Sequence, residues 1–198
     1  MTKARKRRRN PIMVIIIVAL VLLALAAGLL FAFERYLVST HPIKYQNYVE
    51  QYSNEFDVDS FLVYAVIKTE SGYRPDAVSN GGARGLMQIT EETFDWIKFK
   101  LGDEETTFYD MFDPQTNIRY GCFLLGYLTE EFGNIEATMA AYHAGRGSVN
   151  SWLQDKRYSD DGVHLKEIPI SDTAYYVEKI NRAIIVYHRL YDKAALYC

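Results

Sequence analysis

From Ile12 to Phe33 the chain runs for roughly 22 residues without a charged side chain, and this run constrains the fold more than any other feature of the sequence. Coiled as a helix rising about 1.5 Å per residue, it is long enough to cross a hydrocarbon core of roughly 30 Å. The sequence therefore predicts one membrane-spanning helix over residues 12–33. Lys3, Arg5, Lys6, Arg7, Arg8 and Arg9 precede it, and no Asp or Glu appears before Glu34. Positive residues flanking a first span stay in the cytoplasm, so residues 1–11 are expected to form a cytoplasmic basic tail, with everything after Phe33 outside. A cleaved signal peptide is the rival reading, since Ala24-Leu25-Ala26 has the small-residue character of a cleavage site. The apolar stretch outlasts that site through Gly28 to Phe33 and exceeds the usual signal core, which favours the anchor.

Beyond the span the chain changes character. Ser39-Thr40-His41-Pro42 is short and polar, and residues 34–44 are expected to be a linker to a domain over residues 45–198, a length that suits one ordinary hydrophobic core. Without the six basic residues of the tail, 16 of the 22 Lys and Arg remain against 25 Asp and Glu, a net of −9. An acidic domain of this kind argues against nucleic-acid binding. Cys122 and Cys198 allow at most one optional disulfide, and the histidines His41, His143, His164 and His188 lack ligand spacing, so neither a metal centre nor a cofactor is implied.

The apolar spacing is helical almost throughout. Asp57 to Ser60 offers a cap for a helix carrying Phe61, Leu62, Ala65, Val66 and Thr69 at intervals of three and four, ended by Ser71-Gly72 and barred from continuing by Pro75. Thr90 caps a helix with Glu91 and Glu92 in its first turn. Asp113-Pro114 opens another, which carries Ile118, Cys122, Leu125 and Leu128 to a stop at Gly133. A shorter helix runs from Ile135 to Ala144-Gly145, and a last one from Asp172 to about Asp192 has Tyr176, Ile180, Ile184 and Tyr187 on one face. Residues 146–170 read as an irregular polar segment, a lid or groove wall. No alternating strand pattern and no internal repeat is present, so the expected class is all-α.

Glu70 falls at the end of the apolar face that carries Leu62 and Val66. A carboxyl there is partly desolvated, which raises its pKa and keeps it protonated near neutral pH, as a general acid for glycosidic cleavage requires. A Gly-rich segment, Ser79-Asn80-Gly81-Gly82-Ala83-Arg84-Gly85, follows and leads into Leu86-Met87-Gln88-Ile89-Thr90. Glycines let backbone approach a ligand closely, and the Gln88 amide, both donor and acceptor, suits an acetamido group.

Four motifs now stand in order: Glu70-Ser71, Gly85-Leu86-Met87-Gln88, Ala141-Tyr142-His143-Ala144-Gly145, and Asp172-Thr173 followed by Tyr176-Val177. Together they resemble the soluble-lytic-transglycosylase-like catalytic domains of glycoside hydrolase family 23, related in fold to goose-type lysozyme, over roughly Tyr45 to Tyr187. The resemblance implies a lysozyme-like helical domain with a groove for peptidoglycan strands. In it Glu70 is the catalytic acid/base. Ser71 contacts Glu70 or the substrate, Met87 and Gln88 line the groove, Tyr142 presents its face or hydroxyl to the sugar, and Tyr176 hydrogen-bonds Glu70. His143 departs from the family's Asn, and is either an amide substitute supplying one ring N–H or a pH-sensitive residue of the groove.

Most glycosidases use two carboxylates, and these motifs supply one. The family's chemistry needs only one, because the C6 hydroxyl of N-acetylmuramic acid attacks C1 and closes a 1,6-anhydro ring without water. Two other readings stay open. A hydrolytic muramidase would require a second carboxylate from Glu91, Glu92, Asp95 or Asp113, and a non-catalytic peptidoglycan-binding scaffold would keep the fold alone. The acidic surface is poorly attracted to anionic wall polymers, so the membrane anchor or an assembly partner is expected to supply proximity.

Overall fold

The computed structural model of the chain describes residues 11–192 and separates into two units between Pro42 and Ile43. The basic residues Lys3 to Arg9 lie outside the described residues, as does Cys198, and with it the considered pairing to Cys122.

The first unit is a helix, α1 (Pro11–Thr40). It begins on proline, which at the first helical position gives up no hydrogen bond and presets φ. Its side chains are largely apolar, yet none of its residues is buried. Among the described residues it is the one helix long and apolar enough to cross a membrane. It also continues through Glu34 to Thr40, where a linker was expected. Ser39 and Thr40 turn their hydroxyls back onto the Tyr36 carbonyl at 2.7 and 3.0 Å and close the last turn, so irregular backbone begins only at His41.

The second unit is all-helical: α2 (Gln46–Glu55), α3 (Ser60–Glu70), α4 (Glu91–Leu101), a short 3-10 helix (Phe108–Phe112), α5 (Pro114–Phe132), α6 (Ile135–Ala144), α7 (Arg146–Gln154) and α8 (Ser171–Tyr191). No strand occurs among the described residues, only the isolated bridges of Arg84 with Val78 and Ile89. The helix starts follow from local chemistry. Asp59 accepts the Phe61 N–H, Thr90 that of Thr93, Asp113 that of Thr116 ahead of a first-turn proline, and Asn134 that of Ala137. Gly102 and Gly133 end α4 and α5 in the left-handed conformation.

α3 is the centre of the packing. Leu62 to Ile67 are buried without interruption, so this helix is covered on every side rather than along one stripe. α8 lies along it and contributes Tyr176, Val177, Ile180, Ala183 and Tyr187 to the core. α5 packs on α6 and α2, and α6 on α8. The segment 146–170 corrects the expectation of irregular structure, because its first third is α7. Val149, Trp152 and Leu153 repeat at three and four and pack inward, but Gly147 and Ser148 weaken the signal, and α7 starts at Gly145 without a side-chain cap.

Candidate active site

The end of α3 sets the site. Glu70 is its last residue, Ser71 caps it, and Gly72 and Tyr73 turn the chain away with φ of 60° and 67°. Ser71 is buried, and its hydroxyl donates to the Ile67 carbonyl at 3.1 Å. Its first duty is thus to finish the helix that presents Glu70. α8 supplies the partner: the Tyr176 hydroxyl donates to Glu70 Oε1 at 2.7 Å. Burial pushes the Glu70 carboxyl up to about 7, against the opposing pull of the Tyr176 hydrogen bond and the charge of Lys179. The negative end of the α3 dipole acts in the same direction as burial. The phenol of Tyr176 is driven well above its ordinary range by burial first and the nearby carboxylate second, so it stays a donor.

The second wall is the loop from Ala77 to Thr90. Its backbone folds back on itself, with the Arg84 N–H donating to the Ile89 carbonyl at 2.9 Å and the reverse bond at 3.1 Å. Gly85 takes φ of 78° with no room for a side chain, since a Cβ there would overlap the Met111 carbonyl and the Asn117 amide. Gln88 takes φ of 51°, uncommon outside glycine. Its amide explains how that is held: Nε2 donates to the carbonyls of Gly85 (2.8 Å) and Ala77 (3.2 Å). The expected role of Gln88 is thereby narrowed, because its donors are committed to the loop and only its oxygen is left to accept.

Met87 corrects a further expectation. Its side chain is fully buried, seated where Gly121 of α5 leaves space, so it supports the groove from below and does not line it. Its backbone is held at both ends: the N–H donates to Asn117 Oδ1 at 2.7 Å, and the carbonyl accepts from the Tyr142 hydroxyl at 2.7 Å. The Tyr142 hydroxyl is therefore engaged internally, and the half-buried ring packs against the core. Glu92, Thr93, Trp96, Tyr127, Tyr142 and Arg146 are among the residues that line a cavity of about 330 Å³. His143 packs against Tyr176 with ring centroids 4.5 Å apart and shares a 3.0 Å hydrogen bond with Thr173. Burial lowers the His143 pKa and Asp172 opposes the shift.

The structure thus joins Glu70 to Tyr176 and Tyr176 to His143, and ties Tyr142 to the Met87 carbonyl of the loop that carries Gln88, while Ser71 and the Met87 side chain are buried. The sequence pattern described as "Transglycosylase SLT domain" matches residues 47–164, more than half the chain. The chain belongs to the transglycosylase SLT domain family. The soluble lytic murein transglycosylase of Escherichia coli (strain K12) is 32% identical over 166 residues, covering 81% of this chain and 26% of the relative. That of Salmonella typhimurium is 32% identical over 149 residues. The chain spans about a quarter of the length of these curated relatives. Among solved structures, lytic transglycosylase Slt of Pseudomonas aeruginosa superposes with a TM-score of 0.68 at 29% identity, covering 75% of this chain and 24% of that one. The 70 kDa soluble lytic transglycosylase of E. coli gives 0.69 at 27%, covering 77% and 25%, and has also been solved in complex with bulgecin A.

Within this SLT domain two residues escape the motifs. Asn117 is fully buried and pins three backbone groups: it accepts from Met87 N–H and donates to the carbonyls of Met111 (2.9 Å) and Arg84 (3.0 Å). Its signal in the sequence was an amide next to Ile118 on the apolar face of α5. Lys179 acts on Glu70 from α8, one turn past Tyr176. Nothing in its local sequence distinguishes it from a solvated lysine.

Proposed function

We propose that this chain is a peptidoglycan lytic transglycosylase held at the cell membrane by α1, with its SLT domain on the outer side. The observation that carries the reading is Glu70, half-neutral near pH 7 because it is buried, and held by the Tyr176 hydroxyl at the end of a rigid helix. In its protonated form Glu70 protonates the glycosidic oxygen that leaves C1 of N-acetylmuramic acid. The resulting carboxylate then takes the proton from that sugar's C6 hydroxyl as its oxygen attacks C1. One C–O bond breaks, another forms, the proton returns to Glu70, and the product carries a 1,6-anhydro end. A pKa near neutrality serves both halves of this cycle, since the group must give and regain a proton in turn. The Tyr142 ring and the Gln88 oxygen contact the sugar, Ser71 and Tyr176 hold Glu70, and His143 fixes the Tyr176 ring at the rim. Similarity to the named transglycosylases supports the reaction type, and the length and exposed apolar surface of α1 support the anchor.

Glu70→Gln is expected to keep the fold and lose roughly 10²-fold or more in cleavage rate on purified walls, the scale of removing a general acid/base. Near wild-type cleavage would end the assignment. Mass spectrometry of the products is expected to find anhydro-muramic ends. A hydrolytic muramidase is the second reading, and Glu92, one of the four carboxylates named for that role, favours it because it lines a cavity beside Tyr142. Reducing ends, lost in Glu92→Gln, would establish it instead.

A further inference from the structure

Between the α2–α3 corner and the middle of α5 lies a second cavity, of about 480 Å³, lined among others by Phe56, Asp57, Phe123, Tyr127 and Glu130. None of its lining residues belongs to the four motifs. Close packing shapes it. Gly126 lets the corner approach α5, since a Cβ there would stand 2.5 Å from the Phe56 carbonyl. The turn closes with Asp57 in the left-handed conformation, φ 52°, and with the Val58 N–H donating to the Ser53 carbonyl at 2.8 Å. Phe56 and Asp57 are thereby held side by side against the helix that carries Phe123, Tyr127 and Glu130.

Tyr127 also lines the 330 Å³ cavity beside Tyr142, as does Trp96, so the two cavities share a wall. That wall is aromatic from end to end. Ring centroids are 4.8 Å apart between Trp96 and Tyr127, 6.1 Å between Trp96 and Phe123, and 5.6 Å between Phe123 and Phe56. All four side chains are half-buried. Acceptors stand beside them: Asp57 and Glu130 are exposed, and among the described residues neither side chain has an ion-pair or hydrogen-bond partner. Glu131, the next residue along, is by contrast taken up by Arg146 and Asn150.

Aromatic surface next to uncommitted carboxylate oxygens matches a pyranose ring, whose C–H faces are apolar and whose hydroxyls donate. The wall shared with the Tyr142 cavity makes the occupant a continuation of the strand that lies there. We propose that the 480 Å³ cavity is a distal glycan-binding site, which holds sugar rings of the same strand that is cut at Glu70, beyond those seated at Tyr142. The site is filled only by strands long enough to pass Tyr127, so the chain favours long strands and releases its hold as fragments shorten. The inference rests on the reading of the Tyr142 cavity as part of a glycan groove served by Glu70.

The test is cleavage kinetics of the full chain in detergent on peptidoglycan strands of increasing length with their stems intact, starting from the shortest that is cleaved. Wild type is compared with Phe123→Leu, which removes a ring and keeps apolar bulk, and with Glu130→Ala, an exposed helical position that tolerates the change. For wild type KM is expected to fall as strands lengthen. On the longest strands Phe123→Leu is expected to raise KM about fivefold, the scale of one aromatic contact, and Glu130→Ala about threefold, that of one hydrogen bond. On the shortest strand both variants are expected to match wild type in KM and kcat, which also shows that they fold. Variants that match wild type at every length overturn the distal site, and so does a KM raised equally at all lengths, which would place the cavity next to the cleaved bond. A wild-type KM indifferent to length overturns it as well and leaves the cavity to a ligand other than the strand. If wild type cleaves no strand of any length, the reading of Glu70 falls and this inference with it. Cleavage by wild type with length-blind variants removes this inference alone.

Discussion

Glu70 is delivered by two helices whose backbones satisfy themselves and whose contact, apart from the Tyr176–Glu70 hydrogen bond, is mainly apolar, whereas the loop beside it depends on a few polar side chains for its shape. Between α3 and α8 the contact is made by side chains such as Val66, Ile67, Ile180 and Tyr187, each of which gives up part of its contact area when trimmed. Between Ala77 and Thr90 there is no regular ladder. Asn117, Gln88 and Tyr142 hold six hydrogen bonds to backbone groups of this loop and the Met111 carbonyl. The helical wall should therefore weaken in proportion to what is removed, while the loop wall should fail as a unit, because each lost amide strands several buried groups at once.

The largest effect on stability is expected on the loop side. Asn117→Ala leaves the Met87 N–H and the Met111 and Arg84 carbonyls without their partner, and is expected to cost about 3 kcal/mol in urea unfolding, with glycan cleavage falling as the loop loosens. A cost below about 1 kcal/mol, the size of a single ordinary hydrogen bond, would break the contrast between the walls.

The helical side should respond next, and with the opposite sign. The carboxyl of Glu70 is raised in the folded chain from 4.5 to about 7. Below pH 4.5 it is neutral whether folded or unfolded and contributes nothing. Between those values the unfolded chain ionises while the folded chain resists, so the fold loses stability as pH rises to about 7 and recovers none above it. Glu70→Gln removes that cost, and is expected to stabilise the chain by about 2 kcal/mol at pH 8, after discounting for partial exposure, and by almost nothing at pH 4. Equal gains at the two pH values would refute the raised carboxyl.

The smallest of the three sharpens the same point. Tyr176→Phe is expected to cost about 1 kcal/mol of stability, one hydrogen bond. Because that bond lowers the Glu70 pKa, its loss should carry the alkaline limb of the kcat profile to higher pH than in wild type. An unmoved limb would mean that Tyr176 positions Glu70 without tuning it.

The helical wall was legible in the sequence because periodicity and function coincide there. The spacing of Leu62, Val66 and Glu70 fixes which way the carboxyl points, and the register of Tyr176 with Ile180 and Tyr187 fixes its partner. The loop was legible only as a motif. Gln88 read as a ligand for an acetamido group because nothing local reveals that its donors close on Gly85 and Ala77. Met87 read as a groove residue because its burial depends on a glycine in another helix. Asn117 was missed because its three bonds reach residues 6 to 33 positions away, and α7 was missed because Gly147 and Ser148 hide an apolar repeat that only packing rewards.

The seat of Met87 against Gly121 has a consequence for descent. A Cβ at position 121 would occupy the space now taken by the Met87 sulfur, and a side chain shorter than methionine at 87 would leave a void under the loop. Neither position is free to drift alone. In lineages that keep this loop, the two should be inherited as a pair, with any enlargement of one accompanied by a reduction of the other.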